Sequence, residues 1–557
     1  MATEAVPAPQ GQQGGFFNWI ERVGNKVPHP VLMFLYLIIG LAILSQILFW
    51  FGVSVTDEVV TPVPRQQLGD LRDALGGSIV PYDTSTGQIA EIPEFIVQEQ
   101  TFPVRGMLTE EGIRHFFVSF LPNFSGFTVI GVTFLAMLGA GVAERAGLMN
   151  ALIRRLVAVT PANLLTFSMV FVGVISSLAS DAGYLILIPL AAAAFASVGR
   201  HPLVGLSAAF AGVAAIFTVN LVPVATDAML TEITNEAIAL TGGQPISIVA
   251  NLFFNIASSI ILAVVATIVA ERVIAPRLGT WDPAQGQPDA VGAEQEIAPE
   301  LEAKGLNAAL WGFLAVLGLT VLLYFLGPLR RPDGQYGGNL PLIDSLLFII
   351  TLFFLVSGIA FGRVVGTIKG SGDVIKFASQ TFAGLGGMVL MFLMISQFIA
   401  FFNYTNLPTV IAVNLANILQ NLAIGPLPLL ILMTLVILLL DFIMPGSVPK
   451  WAIFAPIFVP LFIRLGVAPE SVLAAYRIGD SPVNPITPLM VYLPFILTVA
   501  QRYDRNAGLG TLIALMVPYT VIIAVVWILL LIVWFLLNIP LGPGYFPQTV
   551  SMVFAWL

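Results

Sequence analysis

Two acids stand in apolar surroundings, where only a chemical role or a local hydrogen bond would retain them. Asp181 lies in Ser180-Asp181-Ala182-Gly183-Tyr184, between two apolar runs. It can bind a cation or a proton, and Ser-Asp before Ala-Gly is equally good N-cap chemistry for a helix start. Asp480 stands in Tyr476-Arg477-Ile478-Gly479-Asp480-Ser481, ahead of the proline-broken stretch Pro482-Val483-Asn484-Pro485-Ile486-Thr487-Pro488. A carboxylate beside freed backbone carbonyls and the Asn484 amide forms an all-oxygen set for Na+, or carries a proton. Asn220, in Thr218-Val219-Asn220-Leu221-Val222-Pro223, is the corresponding amide of an earlier broken stretch. Arg477 lies one helical turn before Asp480. It either pairs with that acid in a buried structural bridge or grips an anionic substrate with its planar fork. Trp451, after Pro449-Lys450, is either an interfacial anchor or a ring that stacks on an aromatic substrate. Asp441 and Lys450 are expected near an aqueous edge, with Lys450 snorkelling. Gln397, Asn403, Asn406, Asn414, Asn417 and Asn421 crowd one neutral region, where they bond between helices or line a cavity.

The elements that must hold these residues are membrane helices. The chain has 557 residues, 57% hydrophobic and 10% charged, with mean hydropathy +0.93. Soluble domains carry about 25% charged residues. Here 23 Lys and Arg with 31 Asp and Glu are too few to cover a water-soluble surface of this size, which excludes a cytosolic enzyme. A net charge of −8 without a basic stripe excludes a nucleic-acid binder. The absence of Cys excludes a disulfide framework and a thiolate metal site, and three His argue against a His-rich one.

A helix crosses the hydrocarbon layer in about 20 residues. Runs free of Asp, Glu, Lys and Arg cover 31–56, 115–143, 156–180, 182–199, 202–226, 237–270, 305–329, 345–362, 377–440, 481–501 and 506–557. Continuous apolar runs are not the short alternating strands of an outer-membrane barrel. The class is therefore all-α and polytopic, with roughly 9–13 crossing or re-entrant segments. Arg22 and Lys26 before the first run predict a cytoplasmic segment 1–30. The polar segment 57–114 is predicted on the far side. The other basic stretches, such as Arg145/Arg154/Arg155 and Arg502/Arg505, are predicted inside. The expected layout is a first membrane half 31–278, a Pro/Gly/Glu-rich cytoplasmic linker 279–304, a second half 305–538 and a C-terminal segment 539–557.

Each half carries one region where apolar sequence is broken by Gly, Pro and charge. Pro189 to Pro202 spans the same 13 residues as Pro456 to Pro469, and Gly212 then aligns with Gly479. The runs near 181–199 and 447–465 are short for full spans and are expected to be re-entrant helical hairpins whose tips approach each other. Paired interrupted segments in two halves are the best sequence pointer to the site of an inverted-repeat secondary transporter.

At these residues the sequence resembles the AbgT family of p-aminobenzoyl-glutamate transporters. The resemblance is carried by Ser180-Asp181-Ala182-Gly183-Tyr184, by Ser396-Gln397-Phe398 through Asn403-Tyr404-Thr405-Asn406-Leu407, and by the turn from Pro445-Gly446-Ser447 to Trp451. Tyr476-Arg477-Ile478-Gly479-Asp480-Ser481 with Asn484 and Thr487-Pro488 completes it, and the likeness runs from about 16 to 538. The resemblance implies a homodimeric inner-membrane carrier in membrane lipid, with about nine transmembrane helices and two re-entrant hairpins. It implies a basin open to the cytoplasm and transport of p-aminobenzoyl-glutamate or export of sulfonamide antimetabolites. The expected substrate-binding residues are Trp451, Pro469, Arg477, Pro488 and Asn406. The expected coupling residues are Asp181, Asp480, Asn220 and Asn484, with Na+ at Asp480 and Asn484 or H+ as the coupling ion, and no other cofactor.

Two other classes compete. An intramembrane aspartyl protease would use Asp181 and Asp480 as a dyad, but the first Gly of its Gly-x-Gly-Asp motif is Arg477 here. An ion channel would show a tandem filter repeat, and none is visible. A P-loop pump is excluded because no Gly-Lys dipeptide occurs.

Overall fold

A computed structural model describes residues 30–62, 82–83, 88–89, 95–158, 160–161, 164–179, 183–281, 298–330, 341–421, 425–444 and 446–548. Asp181, the N-terminal segment before Pro30 and most of the linker 279–304 lie outside the described residues.

Long apolar stretches with few breakers form helices whose large side chains stay exposed, as lipid-facing surfaces require; Trp311, Phe325 and Leu439 are examples. Among the described residues, eight helices are long and apolar enough to cross a membrane. They are Val31–Trp50, Glu110–Arg145, Leu252–Leu278, Pro299–Phe325, Leu346–Val365, Gly386–Tyr404, Ser447–Arg464 and Leu509–Leu536. Shorter apolar helices run over Leu165–Ile175, Gly183–Ser197, Pro202–Ala215 and Pro426–Asp441. The 377–440 run breaks where its turn residues stand: one helix ends at Tyr404, the next starts at Leu407, and Pro426 opens another after Gly425. Among the described residues the helical body carries an antiparallel ribbon of Ser54–Pro62 with Phe95–Pro103 and a short second one of Tyr82–Asp83 with Gln88–Ile89. The β-branched residues of the longer ribbon favour a pleated strand, and the Thr56 and Thr101 hydroxyls meet across it at 3.0 Å.

The internal repeat is real at the level of single hydrogen bonds. Residues 195–204 and 462–471 are related by a constant offset of 267, that of Pro189 to Pro456. In the first copy Arg200 N–H donates to the Phe195 carbonyl at 2.9 Å and Gly199 N–H to Ala196 at 3.0 Å. In the second, Val467 N–H donates to Phe462 at 2.9 Å and Gly466 N–H to Ile463 at 3.0 Å. Gly199 and Gly466 take φ of +72° and +76°, the left-handed stop of a helix that only glycine adopts without cost. Pro202 and Pro469 then open the returning helix, where a missing N–H is harmless. The equivalence extends to packing: Gly212 lies against Val170, and Gly479 against Ile437, again 267 residues on.

The hairpins differ from expectation in one respect. Each run expected to dip and return by itself is a single arm, Gly183–Ser197 or Ser447–Arg464. The return is made by the following helix, Pro202–Ala215 or Pro469–Asp480. The turn signals stand at the end of each run, and Pro456 and Pro460 are accommodated inside the helix. Each tip is also held by a partner of its own. The first holds Arg200 on Glu271 at 2.6 Å, and the second packs Ser471 on the Pro547 carbonyl at 2.9 Å. The unwound exits of the two repeats meet, because their freed backbone groups need partners.

The glycine contacts give a prediction. A Cβ on Gly212 would overlap the Val170 carbonyl, whereas one on Gly479 would stand 2.7 Å from Ile437 Cβ and 2.8 Å from the Thr434 carbonyl. Alanine at either position is expected to cost about 1–3 kcal/mol, read as a lowered melting temperature in detergent. Ile437→Ala should recover little of the loss in Gly479→Ala, because alanine keeps the Cβ at 2.7 Å and the Thr434 carbonyl stays in place. No side-chain truncation should rescue Gly212→Ala, since its obstacle is backbone.

Candidate substrate and ion site

After Ala215 and after Asp480 the chain unwinds, and the two exits cross. The Thr218 hydroxyl donates to the Arg477 carbonyl at 3.0 Å, and the Thr218 N–H donates to Ser481 Oγ at 3.2 Å. The Asn484 amide donates to the Ala214 carbonyl at 3.4 Å. Asn220 ties the first exit back to Ser177 Oγ at 2.6 Å, while its own oxygen accepts the Leu221 N–H at 2.7 Å.

Behind this crossing lie two sealed charge groups. Arg477 donates to Asp227 and to the Thr218 carbonyl, each at 2.6 Å, and its side chain is 1% exposed. Asp227 also accepts the Val224 N–H at 2.8 Å, so one acid caps helix Ala225–Ala239 and neutralises the arginine. The second group joins Lys450 to Asp441 and, at 2.8 Å, to Asp480. Ser447 donates to the other Asp480 oxygen, and the Tyr476 hydroxyl reaches the carboxylate at 3.1 Å. Trp451 stacks on Tyr476 with ring centroids 4.3 Å apart and donates to Thr234 Oγ at 2.9 Å.

In front lies a cavity of about 610 Å³. Tyr184 and Tyr492, stacked at 4.4 Å, form one wall, and methionines such as Met388 and Met391 form another. Its polar groups include Ser177, Thr226, Ser447 and Asn484. Two helix starts also reach it, Val224-Ala225-Thr226 and Gly446-Ser447-Val448-Pro449, and helix N-termini favour anions.

Several sequence expectations need correction. Arg477 does not pair with Asp480; it reaches Asp227 on another helix, while Lys450 takes Asp480. Asp441 and Lys450 are not at an aqueous edge but are fully buried. Trp451 is neither an interfacial anchor nor part of the cavity wall, because Tyr476 covers its face and its N–H is engaged. Asp480 bonds to Lys450, Ser447 and Tyr476, and the Asn484 amide donates to the Ala214 carbonyl. The helix ends at Asp480, and the turn that follows carries Asn484 to the other repeat. Asn406 lies elsewhere, at a helix break with φ +59°, donating to the Pro103 carbonyl at 2.9 Å. Pro469 starts a hairpin arm outside the cavity wall, and Pro488 sits half-buried between the wall residues Asn484 and Leu489. Gln397 bonds between helices, to Asn123 at 3.0 Å and the Phe120 carbonyl at 2.9 Å. Asp181 is outside the described residues, but Ser177 and Tyr184 flank it and both line the cavity.

Sequence reasoning missed Asp227, Tyr476, Ser447 and the Tyr184–Tyr492 stack. Asp227 carried a signal as the acid that ends a charge-free run just after Pro223, while Tyr184, Ser447 and Tyr476 stood inside the quoted motifs without being assigned a role.

A sequence model of the AbgT putative transporter family matches residues 15–549, nearly the whole chain. The chain belongs to the AbgT family. Within it, the chain is 33% identical over 554 residues to the p-aminobenzoyl-glutamate transport protein of Escherichia coli strain K12, covering 98% of this chain and all of that one. Two solved AbgT-family structures are also similar. The Alcanivorax borkumensis YdaH transporter has a TM-score of 0.80 and 32% identity, covering 93% of this chain and all of its own. Neisseria gonorrhoeae MtrF, described as illuminating a class of antimetabolite efflux pumps, has a TM-score of 0.80 and 34% identity, covering 95% of this chain and all of its own. An AbgT protein is a membrane transporter rather than an enzyme, so the protease reading falls.

Proposed function

We propose that this AbgT transporter is an ion-coupled secondary carrier. It moves p-aminobenzoyl-glutamate, or exports sulfonamide-type antimetabolites, across the inner membrane as a homodimer. The cavity carries the reading. It lies where the two repeats meet, is lined by aromatic rings and methionines, and receives two helix N-termini. Rings and polarizable thioethers suit an aryl group, and converging N-termini suit its carboxylates or sulfonyl oxygens. Ser447 joins this cavity to Asp480 directly, so ion occupancy and substrate occupancy share a wall. Asp480 and Asp181 are the coupling groups, with Na+ or H+ as the ion.

The test is transport by purified protein in proteoliposomes. Labelled p-aminobenzoyl-glutamate should accumulate above its outside concentration when a Na+ or pH gradient is imposed, and only equilibrate without one. Equal accumulation with and without both gradients refutes the coupling. No specific flux of either p-aminobenzoyl-glutamate or a sulfonamide refutes the substrate class.

A further inference from the structure

Lys450 projects from the first turn of the arm Ser447–Arg464, between the ends of Pro426–Asp441 and Pro469–Asp480. Its ammonium contacts Asp441 and Asp480, and all three side chains are at most 1% exposed. The second Asp441 oxygen has no hydrogen-bond partner although it is fully buried. Two carboxylates against one ammonium leave the group with one net negative charge, in a place water does not reach. A buried carboxylate pair persists only with a cation against it, and here the Lys450 ammonium is that cation. Its donors are all oxygens: both carboxylates, the Ser447 hydroxyl and the Tyr476 hydroxyl. Such a set binds hard monovalent ions as readily as an ammonium.

We propose that Asp441 and Asp480 form a monovalent-cation site which, in the conformation described here, is filled by the chain's own Lys450 ammonium. An ion that binds Asp480 must then compete with Lys450. The arm that carries Lys450 also supplies Ser447, Val448 and Pro449 to the cavity wall, so displacing the ammonium moves a wall of the substrate cavity. This deepens the transport reading by naming what the coupling ion must displace.

The experiment measures cation binding rather than transport, so its failure is distinguishable from a failure of the transport reading. The full chain is purified in detergent as wild type and as Lys450→Ala. Each is melted in NaCl, methylammonium chloride and choline chloride at equal ionic strength. Na+ and methylammonium fit the vacated space and choline does not. Lys450→Ala should gain a rise of about 2–4 °C over choline, beyond any such difference in wild type. Recovery of folded Lys450→Ala only when Na+ or methylammonium is present supports the same conclusion. Identical cation responses in wild type and Lys450→Ala overturn it. Where Lys450→Ala folds in none of the salts, Asp441→Asn/Lys450→Ala keeps the wild-type net charge and is measured instead. The same cation-selective rise is expected there on Asp480 alone, and its absence overturns the assignment.

Discussion

Arg477→Ala is expected to destabilise the transporter by about 3–5 kcal/mol, the cost of stripping one partner from a buried ion pair. The substitution leaves Asp227 as an uncompensated charge and takes the donor from the Thr218 carbonyl, where the first repeat's exit crosses the second's. Asp227→Asn should cost less, since an amide oxygen still accepts from the guanidinium. Removing both charges, as Arg477→Met/Asp227→Asn, should recover much of the loss, because no lone charge then remains. Melting temperatures of the three variants in detergent measure this cycle. A double variant no more stable than Arg477→Ala would show that the pair is not the source of the effect. Substrate binding to the folded double variant then tests the anion grip. Undiminished affinity there assigns Arg477 to the scaffold alone.

Asp480→Asn is expected to abolish gradient-driven accumulation while leaving exchange of substrate across the membrane intact. The amide keeps the shape of the carboxylate but removes one charge from the Lys450 group, which then balances one ammonium against Asp441 alone. A neutral group has no further demand for an ion. One charge moved through about 100 mV is worth about 2.3 kcal/mol, or roughly fiftyfold accumulation, and the variant should reach only equal concentrations. Asp441→Asn removes the same charge and should act the same way, while Asp181→Asn tests the other proposed coupling group. Proteoliposome uptake with counterflow as the control reads both quantities. Unchanged accumulation in Asp480→Asn, with folded protein, would make the aspartate a structural cap.

Much of the architecture was legible in the sequence because it rests on local physics. The shortage of charge required a membrane body, the apolar runs required helices, and Gly199, Pro202, Gly466 and Pro469 already marked the two equivalent turns. The common spacing of those residues announced a repeat that the structure reproduces in the hydrogen bonds of both turns. Arg477, Asp480, Asn220 and Asn484 also stood out in the sequence, because charge and amides in apolar stretches are conspicuous.

Only the tertiary structure decided which of these groups meet. The near neighbour of Arg477 along its helix is Asp480, yet its partner is Asp227, 250 residues away in the chain. Lys450 and Asp480 are brought together only when the two arms of one hairpin pack. Trp451 turned inward because Tyr476 offers it a ring and Thr234 an acceptor. The cavity was left to Tyr184, whose motif drew attention to its aspartate, and to Tyr492 and the methionines, which carry no distinctive pattern in an apolar chain. Turns, caps and apolar runs depend on neighbours within a few residues and can be read in order. Charge pairing depends on which helix ends coincide in space, and a buried ion takes whichever partner lies within hydrogen-bond reach rather than the one nearest in sequence.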